Sequence, residues 1–159
     1  MMLEVVHGSI GTDAVRNTGP LLKETAARGP RVRVLLVDDE PSIRKALSAA
    51  LSLTGYDVVT AGSGEAALAI VRGEHIDVML LDLRIPDMRG DIIFEVAAAT
   101  QPHLALQTLF MTGDITDNAL DLIAACKCNF LRKPFNLSDM FDGIAAISPR
   151  IDRQKDQTA

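Results

Sequence analysis

Five side chains with phosphoryl chemistry in their make-up stand at separated points of the chain: the acidic pair Asp38–Asp39, then Asp82, Thr112 and Lys133. Each follows or closes a short apolar run, namely Val32–Val37, Val78–Leu81, Leu109–Met111 and Phe130–Arg132. If those runs are parallel strands of one sheet, their ends gather the five residues into one place. Three carboxylates held close repel one another, at about 4 kcal/mol per pair near 4 Å for an effective dielectric of about 20. They call for a hard divalent cation with oxygen ligands. Mg²⁺ suits a site that handles phosphate, because it keeps waters that phosphate oxygens can replace. A carboxylate can attack phosphorus and hold it as an acyl phosphate, which makes Asp82 the candidate nucleophile. Thr112 offers a hydroxyl. Lys133 offers a compact cation on a flexible stem, and Pro134 after it fits a rigid turn, cis or trans, that aims the lysine. Each residue also has an ordinary reading: helix capping for Asp38–Asp39 ahead of Pro41, a solvated strand-end acid for Asp82, a surface ion pair for Lys133.

The elements needed to position these residues are legible as an alternation of apolar runs and amphipathic stretches. Val32–Val37 is nearly continuous in apolar residues, as in a strand buried on both faces. Pro41 opens a helix with Ile43, Ala46, Leu47, Ala50 and Leu51 on one face, and Gly55 stops it. Asp57–Ala61 reads as a second strand. Ser63 caps a second helix that turns Ala67, Leu68 and Val71 inward and ends at Gly73. Ile76–Leu81 is a third strand, followed by a loop from Arg84 to Gly90 and a helix from Asp91 to about Thr100. Leu106–Met111 is a fourth strand and Ile115–Ala125 a helix with Leu120 and Ile123 buried. Asn129–Arg132 is a short fifth strand, and Asn136 caps a last helix carrying Leu137, Met140, Phe141, Ile144 and Ile147 at helical spacing. Alternation of this kind gives an α/β fold, a doubly wound five-stranded parallel sheet with helices on both faces. Its ligand site lies at the carboxyl ends of the strands.

The stretches LLVDDEPSIRKALSAAL, LLDLRIPDMRG, LFMTGD and NFLRKPF resemble the response-regulator receiver domain of two-component phosphorelays, from about Arg31 to Ile147. The resemblance implies a flavodoxin-like strand order 2-1-3-4-5. It implies that Asp82 is the phosphoacceptor, taking its phosphoryl group from a phosphohistidine on a sensor histidine kinase or histidine phosphotransfer protein. It implies Mg²⁺ held by Asp39 directly, by Asp38 mostly through water, by Asp82 and by the backbone carbonyl of Arg84. Thr112 and Lys133 would engage the arriving group, and Thr112 with Phe130 would form the switch that reshapes the face of the fourth helix, fifth strand and fifth helix for a downstream protein. By the same resemblance Arg84 and Asp114 flank the mouth of the site, and their opposite charges suggest a pairing that hinders attacking water. The family often has Gly-Ala before strand five, where this chain has Cys126-Lys127.

Residues 31–148 are expected to form the receiver, 1–30 a flexible arm and 149–159 a polar tail. A formal net charge of −5 argues against nonspecific nucleic-acid binding. No apolar run is long enough for a membrane span, and no basic stretch precedes an apolar core at the N-terminus, so the expected home is the cytoplasm. A dozen residues after Ile147 are too few for a helix-turn-helix, which points to a stand-alone relay or adaptor rather than an enzyme with its own substrate. Two other readings compete: an aspartate-nucleophile phosphohydrolase, and a pseudo-receiver that binds without being phosphorylated. Dimerisation through the switch face stays open. Cys126 and Cys128 lack the ligand partners of a zinc site and read as reduced thiols.

Overall fold

The structure is a computed structural model and describes residues 31–113 and 116–148. The expected arm, the expected tail and Asp114 lie outside the described residues. The elements are β1 (Arg33–Val37), α1 (Pro41–Leu53), β2 (Asp57–Ala61), α2 (Gly64–Gly73), β3 (Val78–Asp82), α3 (Gly90–Thr100), β4 (Thr108–Thr112), α4 (Asp117–Cys126), β5 (Asn129–Arg132) and α5 (Leu137–Ile147), with a 3-10 turn at Pro102–Ala105. The five strands are parallel in the order β2-β1-β3-β4-β5.

Alternation along the central strands sorts the core into two layers. Leu35, Val37, Met79, Leu81 and Phe110 point to one face and pack with Ala67, Leu68 and Val71 of α2, Ile93, Phe94 and Ala97 of α3, and Ile123 of α4. Val34, Leu36, Val78, Leu80, Leu109 and Met111 point to the other and pack with Leu47 and Leu51 of α1 and Met140 and Ile144 of α5. A strand with both faces covered has no room for polar alternation, hence the near-continuous apolar runs. Pro41 stands in the first turn of α1, where a missing N–H costs nothing. Gly55 follows α1 at φ 99, a backbone region that suits glycine.

Several local expectations are corrected. Ala46 is exposed, because the buried stripe of α1 runs through Leu47 and Leu51 with Ile43 beside them. Leu120 is 40% exposed. The inward stripe of α4 is Ala119, Leu122, Ile123 and Cys126, a run of i, i+3, i+4, i+7 that leaves Leu120 on its flank. The third strand begins at Val78 rather than Ile76. The fourth begins at Thr108, since Pro102 opens the 3-10 turn that carries Leu106 into solvent at 78% exposure. Asn136 occupies the cap position of α5 but its side chain makes no capping hydrogen bond, and Leu137 is exposed. Ser63 does cap α2, accepting from the amide of Ala66. At the end of α4 Lys127 adopts the left-handed conformation, φ 55, that a glycine would take up freely.

Candidate functional site

β1 and β3 are neighbours while β2 lies outside β1, so the chain leaves β1 toward one side of the sheet and β3 toward the other. The crevice opened by that divergence is where a doubly wound sheet binds its ligand. Asp38 stands one residue past β1, Asp82 closes β3, Thr112 closes β4, and Lys133 stands one residue past β5. The register that pairs Val37 with Leu81 and Asp82 with Met111 brings these ends level.

At the centre is a lysine shared by two acids. Lys133 Nζ donates to Asp38 Oδ2 and to Asp82 Oδ2, each at 2.7 Å. The other oxygen of each carboxylate is held by an amide two residues on: Glu40 N donates to Asp38 Oδ1 and Arg84 N to Asp82 Oδ1, both at 2.9 Å. Both carboxylates are thus fixed in orientation at both oxygens. Lys133 is placed by its own backbone, since its amide donates to the Thr112 carbonyl at 2.7 Å; the Lys133–Pro134 bond is cis. Asp38 is fully buried, Asp82 and Thr112 are nearly so, and Asp39 is exposed at the rim.

Burial pushes the Asp82 carboxyl above the ordinary carboxylate value, against the opposing pull of the Lys133 and Arg84 hydrogen bonds. Burial alone would lower the Lys133 ammonium, but its hydrogen bonds to Asp38 and Asp82 outweigh that and hold it above the usual lysine value. An isolated ion pair would have lowered the acid as it raised the base. Here burial outweighs that pull on Asp82, and the neighbouring charge of Asp38 adds to it.

Ligand oxygens of Asp38, Asp39 and Asp82 lie within 4.8 Å of one another. Three carboxylates against one ammonium leave two negative charges, which a divalent cation balances, and an all-oxygen donor set suits a hard ion. The residues fit such a group. A cleft of about 360 Å³ lined by Asp82, Arg84, Gly113 and Lys133 opens beside them.

Two contacts here could not be read from spacing. Arg44 of α1 donates through Nη1 to the Asp38 carbonyl at 2.6 Å, its guanidinium lying over Gly62, where a Cβ would come within 2.9 Å. Gly90 lets α3 start directly on the site: a Cβ there would stand 2.7 Å from Leu83 Cα and 2.8 Å from the Asp82 carbonyl oxygen. The Arg84 side chain is exposed, and its expected partner Asp114 is outside the described residues. Phe130 sits on β5 level with Phe110 and is 45% exposed. Among the described residues, no helix is long and apolar enough to cross a membrane.

Residues 34–145 match the family model of the response regulator receiver domain. The chain belongs to this family. The receiver is 32% identical over 124 residues to the probable transcriptional regulatory protein TcrX of Mycobacterium tuberculosis, a match covering 78% of this chain and 53% of that protein. It is 34% identical over 111 residues to the transcriptional regulatory protein GlrR of Escherichia coli, covering 70% of this chain and 25% of that one. The chain spans about half the length of most of the curated relatives it matches. Among solved structures, a CheY-like receiver protein of Methanospirillum hungatei is similar at TM-score 0.70 and 25% identity, over 80% of this chain and 99% of that one. The response regulator TrrA of Thermotoga maritima, solved in complex with Mg²⁺ and BeF, is similar at TM-score 0.64 and 25% identity, over 72% of this chain and 97% of that one. As a receiver of two-component signalling, the chain is a signalling module whose family implies a kinase or phosphotransfer partner.

Proposed function

We propose that Asp82 is the phosphoacceptor, taking a phosphoryl group from the phosphohistidine of a sensor kinase or phosphotransfer protein. An Asp82 carboxylate oxygen attacks phosphorus, the new O–P bond forms as the N–P bond breaks, and the imidazole leaves. The observation that carries this reading is the pair of 2.7 Å hydrogen bonds from Lys133 Nζ to Asp38 and Asp82. They put a movable cation against the one buried acid that closes a strand of the site. Asp38, Asp39, Asp82 and the Arg84 carbonyl would hold Mg²⁺, which supplies charge neutralisation for the transferring group. The chain's own residues do the rest. The Arg84 amide aims Asp82, and Lys133 leaves its bridging position to follow a phosphoryl oxygen.

The added charge, close to two units, then draws on the hydroxyl of Thr112. Phe130 turns from its exposed position toward the space that Thr112 vacates, and the surface of α4, β5 and α5 changes for a downstream protein. Output through protein contact, as a relay or adaptor acting in the cytoplasm, belongs to the same proposal; the acidic net charge of −5 supports it over direct contact with nucleic acid. Arg84 and Asp114 would set the lifetime of the phosphoryl group. Non-additive half-lives in Arg84→Ala, Asp114→Ala and the double variant are the expected sign of that coupling.

Incubation with a small phosphodonor and Mg²⁺, followed by intact mass, tests the central step. One phosphoryl adduct lasting minutes is expected. Turnover of donor without an adduct would favour a phosphohydrolase, and neither event would favour a pseudo-receiver.

A further inference from the structure

Of the amides in the first turn of α2, those of Gly64, Glu65 and Ala66 lie ahead of the first intrahelical bond, which runs from Ala67 N to the Ser63 carbonyl at 3.0 Å. Ser63, the cap residue, takes one of the three: Ala66 N donates to Ser63 Oγ at 3.1 Å. The other two go to one carboxylate in the loop that follows Asp82. Gly64 N donates to Asp87 Oδ1 at 2.9 Å and Glu65 N to Asp87 Oδ2 at 3.1 Å. These amide hydrogen bonds hold the Asp87 carboxyl below the ordinary carboxylate value.

The loop is clamped at its tip by this contact and at its base by others. Gly90 N donates to the Leu83 carbonyl at 3.0 Å, and Arg84 pairs with Arg89 in an antiparallel bridge. Ile85 is buried in the core layer under α2 and α3. Met88 is pressed against Gly64, where a Cβ would stand 2.6 Å from Met88 Cβ. Arg84 belongs to that base, and its amide orients Asp82 Oδ1.

We propose that Asp87 is a positioning residue of the phosphorylation site: by fastening the β3–α3 loop to the N-terminus of α2, it sets where the Arg84 backbone stands against Asp82. The inference rests on the function proposed above. Mg²⁺ demands near-ideal octahedral geometry, so a backbone carbonyl on a loosened loop is a poorer ligand than one on a clamped loop. The same slackening frees the Arg84 amide that aims the nucleophile, and misplacement of a reacting group is costly. Asp87 touches no reacting atom. Its influence passes through the loop.

A capping role alone would affect α2 and leave the site unchanged, and Ser63 supplies the control, because it caps the same turn without touching the loop. Thermal stability without metal, Mg²⁺ affinity by calorimetric titration and the initial rate of uptake from a small phosphodonor should be measured for wild type, Asp87→Ala, Asp87→Asn and Ser63→Ala. Both alanine variants should lose stability. Asp87→Ala should also lose Mg²⁺ affinity by about 10-fold, as loss of an outer support of a metal site does, with uptake slowed in parallel. Asp87→Asn keeps one acceptor oxygen and should fall between Asp87→Ala and wild type, and it stands in if the alanine variant does not fold. Ser63→Ala should keep wild-type Mg²⁺ affinity and uptake. Equal effects of Asp87→Ala and Ser63→Ala on affinity, or wild-type affinity in both Asp87 variants, would overturn the inference and leave Asp82 as the proposed phosphoacceptor. A wild-type protein that neither binds Mg²⁺ nor takes up the phosphoryl group would overturn both.

Discussion

Lys133 holds its ammonium 2.7 Å from both Asp38 and Asp82. Burial nevertheless keeps the Asp82 carboxyl above its ordinary value. A carboxyl whose value is higher in the folded chain than in the unfolded one costs stability once it ionises. The cost is absent below the unfolded value of about 3.9 and complete above the folded value. Asp82→Asn removes it, so in metal-free buffer at neutral pH this variant should melt above wild type, with the difference closing as the pH falls from the folded value to about 3.9. Melting curves in chelator across that range check the sign. Lys133→Arg preserves charge, but a planar guanidinium is wider than an ammonium and cannot slide between the two carboxylates in the same way. It should slow phosphoryl uptake and weaken the response at Phe130, read as the accessibility of that ring before and after phosphodonor.

Among the elements, one helix end bears on the site and another on stability alone. α3 starts against Asp82 because Gly90 has no side chain. A methyl group there meets backbone rather than a flexible side chain, so Gly90→Ala should push α3 from Leu83 and lower both stability and phosphoryl uptake, the first by about 1–3 kcal/mol as for other overpacked sites. Denaturant midpoints and uptake rates measure the two effects. α4 ends on Lys127 at φ 55, which costs an L-residue about 1 kcal/mol or more. Lys127→Gly relieves that strain and should raise stability by up to about 1 kcal/mol, checked by denaturant midpoint, without changing uptake.

At the scale of the whole molecule, Mg²⁺ should stabilise the folded chain, by about 1.4 kcal/mol at tenfold excess over its dissociation constant. The shift should disappear in a double Asp38→Ala, Asp39→Ala variant, and thermal melts with and without the ion measure it. The central strands β1, β3 and β4 were legible in the sequence because strands buried on both faces read as unbroken apolar runs, and Pro41 and Ser63 mark helix starts. Asp38, Asp82 and Thr112 were legible as strand-end residues for the same reason, whereas Lys133 follows the largely exposed β5 and was marked by the Lys133-Pro134 pair instead. Spacing could not choose between stripes on a short helix rich in apolar residues, which is why Leu120 was expected inside beside Ile123, while Ala119 and Leu122 join Ile123 against the core. Nor could it show that Asp87 reaches back to the amides of Gly64 and Glu65, since that contact depends on how the β3–α3 loop folds. Asp82 as phosphoacceptor is tested most directly by phosphorylating the protein with a small donor and Mg²⁺, reducing the product with borohydride, and mapping the peptides by mass spectrometry. Reduction of an acyl phosphate on aspartate leaves homoserine. Homoserine is expected at position 82 and at no other acidic position; homoserine elsewhere, or none in a protein that has gained a phosphoryl group, would contradict Asp82 as the phosphoacceptor.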